Sequence, residues 1–264
     1  MIYIITHKKF DPYFQDPFHY KTLQVGSACA PVEGYLHDST GDNISFKNPN
    51  YCELTGLYWM WKNSKESPND ITGLVHYRRY FTNKLGDFLY TYFNLKPQIL
   101  KWNVINKKLK SYDAIMPTKD KIFNTVRGNY TNVHGDEDLD LCREAIEESH
   151  PEYLYAFDNV MNAHAYYYAN MIICKKQLLD QYCEWLFSVM GVLEHKIDLN
   201  KYKDAYQRRV FGFLSERLLQ VYVEKNQLKV KEFPVFNTES RRVNIFQKNF
   251  MRLRHVVEKL GLKR

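Results

Sequence analysis

Residues 71–81 read Ile71-Thr72-Gly73-Leu74-Val75-His76-Tyr77-Arg78-Arg79-Tyr80-Phe81. Ile71, Leu74 and Val75 make a short apolar run suited to a buried strand. At its carboxyl end, His76, Tyr77, Arg78, Arg79 and Tyr80 crowd hydrogen-bond donors and aromatic rings. In open α/β sheets, ligands bind outside the carboxyl ends of strands. A guanidinium presents a planar fork of donors that fits phosphate. The stretch therefore reads as a phosphate or sugar-nucleotide pocket, against the competing reading of a surface strand with solvated arginines. Along an extended strand Arg78 and Arg79 face opposite ways. Arg78, on the side of His76, is then expected to reach the ligand.

The surroundings alternate strand and helix. Upstream, residues 51–63 read as a helix with Leu54, Leu57, Tyr58 and Trp61 on one face, Asn48 as its cap and Pro49 in its first position. Pro68-Asn69-Asp70 forms the turn into the strand. The chain begins with Ile2-Tyr3-Ile4-Ile5-Thr6-His7-Lys8, a first buried strand with His7 at its exit. Residues 11–50 carry Pro12, Pro17, Gly26, Pro31, Gly34, Gly41 and Pro49, and read as a long ordered loop region. Downstream, helices are expected over 95–110 (broken near Pro97), 136–149, 176–192 and 205–225. Strands are expected over 112–117, 166–174 and 229–236. This alternation predicts an α/β fold with a mostly parallel sheet.

Composition narrows the class. The 264 residues suffice for one large domain or two small ones. With 45% hydrophobic and 25% charged residues, the chain has the balance of a globular enzyme. None of its five cysteines forms a Cys-x-x-Cys pair, so free thiols in a reducing cytosol are expected. No signal peptide is read at the start, and no apolar run approaches the roughly 18 residues of a spanning helix. The net charge is +7, and residues 241–264 carry all of it: eight basic side chains against Glu258. The balanced remainder argues against nucleic-acid binding by the main body.

Two long blocks then point to a family: Glu53-Leu54-Thr55 through Tyr58-Trp59-x-Trp61-Lys62-Asn63, and Gly73-Leu74-x-His76-Tyr77-Arg78-Arg79-Tyr80. With Thr6-His7-Lys8, Gly41-Asp42-Asn43-Ile44-Ser45, Asn48, His134, Asp138-Leu139, Asn170-Met171, Trp185-Leu186-Phe187 and Gly212–Leu218, the chain resembles bacterial capsule and exopolysaccharide glycosyltransferases over residues 1–236. Their domain long carried no assigned function, and some members are assigned as galactofuranosyltransferases. The resemblance implies a GT-A-like domain over 1–239, a UDP-sugar donor and a lipid-linked saccharide acceptor. It also implies an enzyme that transfers a hexose, galactofuranose among the candidates. The usual GT-A strand ends in Asp-x-Asp, which holds a divalent metal on the diphosphate. Here it ends in His76-Tyr77-Arg78, so no metal or other cofactor is expected. Asp113 and Asp42 stay open as metal carboxylates.

Transfer requires a stabilised diphosphate, a base for the acceptor hydroxyl and exclusion of water. His76, Tyr77, Arg78 and Arg79 are the candidates for the diphosphate. His7 is a candidate for the nucleotide, or merely closes a strand. Asn43 and Ser45 offer hydroxyl-binding groups, or ordinary turn chemistry. Asn170 is the polar candidate on the donor-sugar strand that the resemblance implies. Glu53 is expected to pair with Lys62 or a nearby arginine. For an inverting reaction the candidate bases are His134, Asp136, Asp138 and Glu216. His134 and Asp138, four apart, are expected to share a helix face, and Glu216 has pairing with Arg208 or Arg217 as its alternative.

In the 240–264 segment, Val243, Phe246, Phe250, Leu253, Val257 and Leu260 are spaced as one apolar stripe among basic residues. A basic amphipathic helix lying on an anionic membrane is expected, which would place the protein peripherally on the inner face of the cell membrane. A helix packed on the domain or on a second copy is the alternative. A non-catalytic nucleotide-sugar or carbohydrate-binding module is the rival to the enzyme.

Overall fold

Strand β1 (Ile2–Thr6) is buried along its whole length in the computed structural model, which describes residues 1–93 and 95–239. An unbroken apolar run of this kind marks a parallel strand covered on both faces. Strands β2 (Tyr20–Gln24) and β3 (Leu36–His37) follow within the region expected to be loop. β2 pairs parallel with β1, and β3 parallel with β2. The turn formers of 11–50 therefore punctuate two short strands instead of replacing them.

Helix α1 (Asn48–Tyr51) is a single turn that ends where Cys52 takes a left-handed φ of 53°. Asn48 is not the expected cap; its amide donates to the Cys52 carbonyl (2.7 Å) and to Thr55 Oγ1 (3.1 Å). Helix α2 (Leu54–Asn63) buries Leu54, Leu57 and Met60. Strand β4 (Ile71–His76) lies parallel to β1. Tyr77 and Arg78 turn the chain, and β5 (Arg79–Phe81) runs back antiparallel, with His76 opposite Arg79.

Helices α3 (Lys84–Phe93) and α4 (Trp102–Lys108) come next. Only the later part of the helix expected over 95–110 forms; Ile99 instead makes an isolated bridge to Thr82. Then come β6 (Ala114–Pro117), β7 (Asp120–Lys121) and helices α5 (Val126–His134), α6 (Glu137–Ser149) and α7 (Leu154–Asn162). The strand expected over 166–174 is two: β8 (Ala165–Tyr166), paired with β7, and β9 (Ile172–Lys175). Long helices α8 (Lys176–Lys196) and α9 (Val210–Lys225) follow. Pro234 splits the last strand into β10 (Val230–Phe233) and β11 (Val235–Asn237).

The central sheet has the order β10-β6-β9-β4-β1-β2-β3, with β5 and β11 attached beside β4. It is mainly parallel, and β9 runs antiparallel between β4 and β6. Gly73 permits that insertion, since a Cβ there would lie 2.2 Å from the Ile172 carbonyl oxygen. Side chains alternate across the sheet. Tyr3, Ile5 and Leu74 enter a core with α2, α6, α8 and α9. Ile2, Ile4, Val75 and Ile173 enter a second core with α4 and the aromatic rings of Tyr20 and Tyr80. The amphipathic helix expected in the basic 240–264 segment lies outside the described residues.

Candidate active site

A cleft of about 760 Å³ opens beyond the carboxyl ends of β1 and β4, walled on the far side by α1, α5 and α9. Its volume lies within the range of small-molecule sites. Lys8, Arg78, Arg79, Arg209 and Arg217 bring positive charge to it, against Glu53, Glu216 and Glu239.

The turn after β4 organises one wall. Tyr77 donates its amide to the Ile5 carbonyl at 3.0 Å, which ties the turn to β1. Its ring meets His7 edge-on at 5.5 Å and carries Lys8 Nζ at 5.0 Å. Arg78 pairs with Glu239 at 2.9 Å, and Lys8 reaches the same carboxylate at 3.6 Å. Arg79 donates to the Tyr168 hydroxyl and lies 4.7 Å over its ring. The expected opposition of Arg78 and Arg79 is therefore corrected. The chain reverses at Tyr77–Arg78, so Arg79 faces His76 across a strand pair, and both arginines line the cleft.

Burial pushes His76 down to about 4; the Glu53 carboxylate pulls the other way, and Arg79 and Arg78 add to the depression. The ring is neutral near pH 7 and supplies a hydrogen bond instead of a charge. His7 is likewise lowered, by burial first and then by Lys8 and Arg78. His76 Nε2, Arg79 Nε and Arg217 Nε are all shielded from solvent and have no hydrogen-bond partner among the described residues. Orphaned buried polar atoms of this kind are rare in folded proteins, and the three residues that carry these all line one cleft.

Helix α9 brings the acid–base groups. Burial raises Glu216 to about 7; the adjacent Arg217 opposes the shift and Glu53 adds to it. Arg217 donates to Glu216 at 2.9 Å and lies about 5 Å from the rings of Tyr130 and Tyr166. Glu53 forms neither of the expected ion pairs, with Lys62 or with an arginine of the next strand, among the described residues. It accepts from the Asn170 amide at 2.7 Å, while Lys62 lies 3.5 Å from the centroid of the Trp61 ring. Asn170 is 3% exposed, bonds Ser215 as well, and sits beneath the cleft as a support for Glu53.

His134 lines the cleft, stacked on Phe213 at 4.3 Å, with Nδ1 on Gln207 at 2.7 Å. Burial lowers its pKa, and the Gln207 bond partly offsets this. It does not share a helix with Asp138. Gly135, at φ 86°, ends α5, and Asp138 belongs to α6. Asp138 is buried away from the cleft, held by Lys201 at 2.8 Å, the Tyr202 hydroxyl and Tyr130 at 3.3 Å. Asn43 and Ser45 also stay outside the cleft. Asn43 accepts the Ser45 amide at 3.2 Å, and the Ser45 hydroxyl donates to buried Asp38. Asp113 bonds the Lys229 amide, and Asp42 accepts from Tyr58. Among the described residues no group of three or more His, Cys, Asp or Glu could hold a metal ion.

Arg209, which donates to Cys52 Sγ at 3.0 Å, and the rings of Tyr168 and Tyr206 were not singled out from the sequence. Arg209 precedes α9 with no motif of its own, and only the fold brings it to the arginine turn. A family model described as a domain of unknown function, DUF4422, matches residues 1–227. The chain belongs to the DUF4422 family. This DUF4422 chain is also similar to a solved structure described as a WbbM bifunctional glycosyltransferase in its apo form. The two share 31% identity with a TM-score of 0.75, over 90% of this chain and 45% of the other. The chain thus spans less than half of that protein's length. The likeness makes the DUF4422 fold GT-A-like. No curated protein matches the chain.

Proposed function

We propose that this DUF4422 protein is an inverting glycosyltransferase. It moves a hexose from a UDP-sugar to a lipid-linked oligosaccharide during assembly of a capsule or exopolysaccharide. Galactofuranose is the first sugar to test. One observation carries the reading. Three residues with a shielded, unpartnered nitrogen, His76, Arg79 and Arg217, line a cleft that also holds a carboxyl poised near neutrality. The likeness to a glycosyltransferase supports it.

In this reading Arg78 and Arg79 hold the diphosphate and His76 donates a hydrogen bond to it. Charge builds on the departing β-phosphate as the C1–oxygen bond breaks, and fixed guanidinium groups stabilise that charge without reorganising. Glu216 takes the proton of the acceptor hydroxyl as its oxygen bonds to C1, and UDP leaves from the opposite face. A base with a pKa near the working pH suits this step. Tyr168, Tyr206 and Phe213 offer faces for a sugar or base. The arginines occupy the role that a metal plays elsewhere, so the reaction proceeds without a divalent ion.

The test is UDP release from a panel of UDP-hexoses, with and without manganese. Wild type releases UDP from one donor at the same rate in both conditions, and Arg79→Ala lowers the rate about a hundredfold. Binding without release in every donor would point to the carbohydrate-binding module. The absence of any thermal shift with uridine nucleotides would remove the transferase and the nucleotide-sugar-binding module.

A further inference from the structure

Helix α3 is built inside out. It buries none of its side chains, although Leu85, Phe88, Leu89, Tyr92 and Phe93 form one continuous apolar stripe at helical spacing. Leu85 is 64% exposed and Phe93 62%. Exposed Leu85, Phe88 and Phe93 mark its outer side, with Leu89 and Tyr92 half-buried between them. The inward side is Gly86, where a Cβ would lie 2.6 Å from Thr82 Oγ1, and Tyr90, whose ring packs 4.7 Å from Phe236. Outside, Phe88 gathers Tyr92 at 4.8 Å and Phe93 at 6.1 Å, and exposed Leu95 extends the patch.

We propose that the outer face of α3 inserts into the headgroup region of an anionic lipid bilayer and seats the protein on it. Phenylalanine, leucine and tyrosine on one side of a short helix are the residues that settle at a lipid interface. Exposed Lys84 and Lys96 flank the stripe. Phe236, against which Tyr90 packs, lies five residues before the 241–264 segment, which carries the chain's whole net charge of +7. An apolar patch flanked by lysines and a basic segment in the same chain both suit anionic lipid. A second copy fits less well. A ten-residue helix, about 15 Å long and about 10 Å across, offers a face of about 150 Å², far short of the roughly 600 Å² that each partner of a stable interface buries.

The proposal does not depend on the transfer reaction, because binding is read without a donor. The full chain is floated with vesicles of phosphatidylcholine and of phosphatidylglycerol. It binds the second, and Leu85→Glu/Phe88→Glu weakens binding at least about tenfold while circular dichroism and UDP-induced thermal shift stay as in wild type. In unmutated protein, vesicles slow hydrogen exchange of the 84–95 peptide. Wild-type-like vesicle binding by the double variant, unchanged exchange over 84–95, or a dimer that the variant dissolves without loss of vesicle binding would each overturn it.

Discussion

Glu216 and Asp138 are both carboxylates on helices, and their surroundings separate them. Glu216 has one arginine beside it and faces the cleft, so burial dominates and lifts it to about 7. If it is the base, kcat/KM rises with pH through about 7 and levels off above. The same shift carries a stability sign. A carboxyl raised in the folded state binds its proton more tightly than the unfolded chain does, so stability falls as pH rises from about 4.5 to 7. Glu216→Gln is therefore expected to abolish transfer yet raise the melting temperature at pH 8, by a stability increment on the order of 1 kcal/mol. A pH–rate profile and thermal melts at pH 5 and 8 check both signs. Asp138 instead gathers Lys201, Tyr202 and Tyr130 in a buried knot. Asp138→Ala strands those donors and is expected to cost about 3–5 kcal/mol, with UDP release per folded molecule unchanged. A denaturant melt beside the rate assay separates the two outcomes. In the sequence these two glutamate and aspartate candidates stood level, because burial and partners belong to the fold.

At the scale of elements, legibility followed the direction of the apolar face. β1, β4, α2 and α8 send theirs into a core and were readable. β2 was missed because Tyr20-Lys21-Thr22-Leu23-Gln24 is half polar and framed by turn residues. α5 was missed because only Val126 and Tyr130 are buried; Thr125, accepting from the Gly128 amide at 3.0 Å, starts it. α3 is hard to read because Gly86 and the run Tyr90-Thr91-Tyr92-Phe93 have low helix propensity. The Tyr77–Arg78 reversal has no glycine or proline to announce it, which is why Arg79 was placed on the wrong side. The Gly73 contact is an element-scale requirement. Gly73→Ala forces β4 and β9 apart and is expected to destabilise the protein by about 1–3 kcal/mol or more, read as a lowered urea midpoint.

Over the whole molecule, the alternation of strands and helices predicted the α/β class, and the mainly parallel sheet with a GT-A-like fold agrees with it. The antiparallel insertion of β9 between β4 and β6 was not readable. Its partners lie far off in sequence, and Ile172-Ile173-Cys174 would suit either direction. The cleft likewise collects side chains from residues 5 to 239, so only its arginine turn was visible as one stretch. Among the described residues, no helix is long and apolar enough to cross a membrane.

The family match stops at residue 227, yet β10 completes the sheet beside β6, and β11 hydrogen-bonds to β5, the strand that anchors the arginine turn. The Thr238 amide also donates to the Arg78 carbonyl at 2.8 Å. Excising the chain at the family boundary would therefore leave raw sheet edges and unclasp Arg78 and Arg79. The sheet and the arginine turn thus take contacts from residues as far as Thr238, beyond the border that the family match draws.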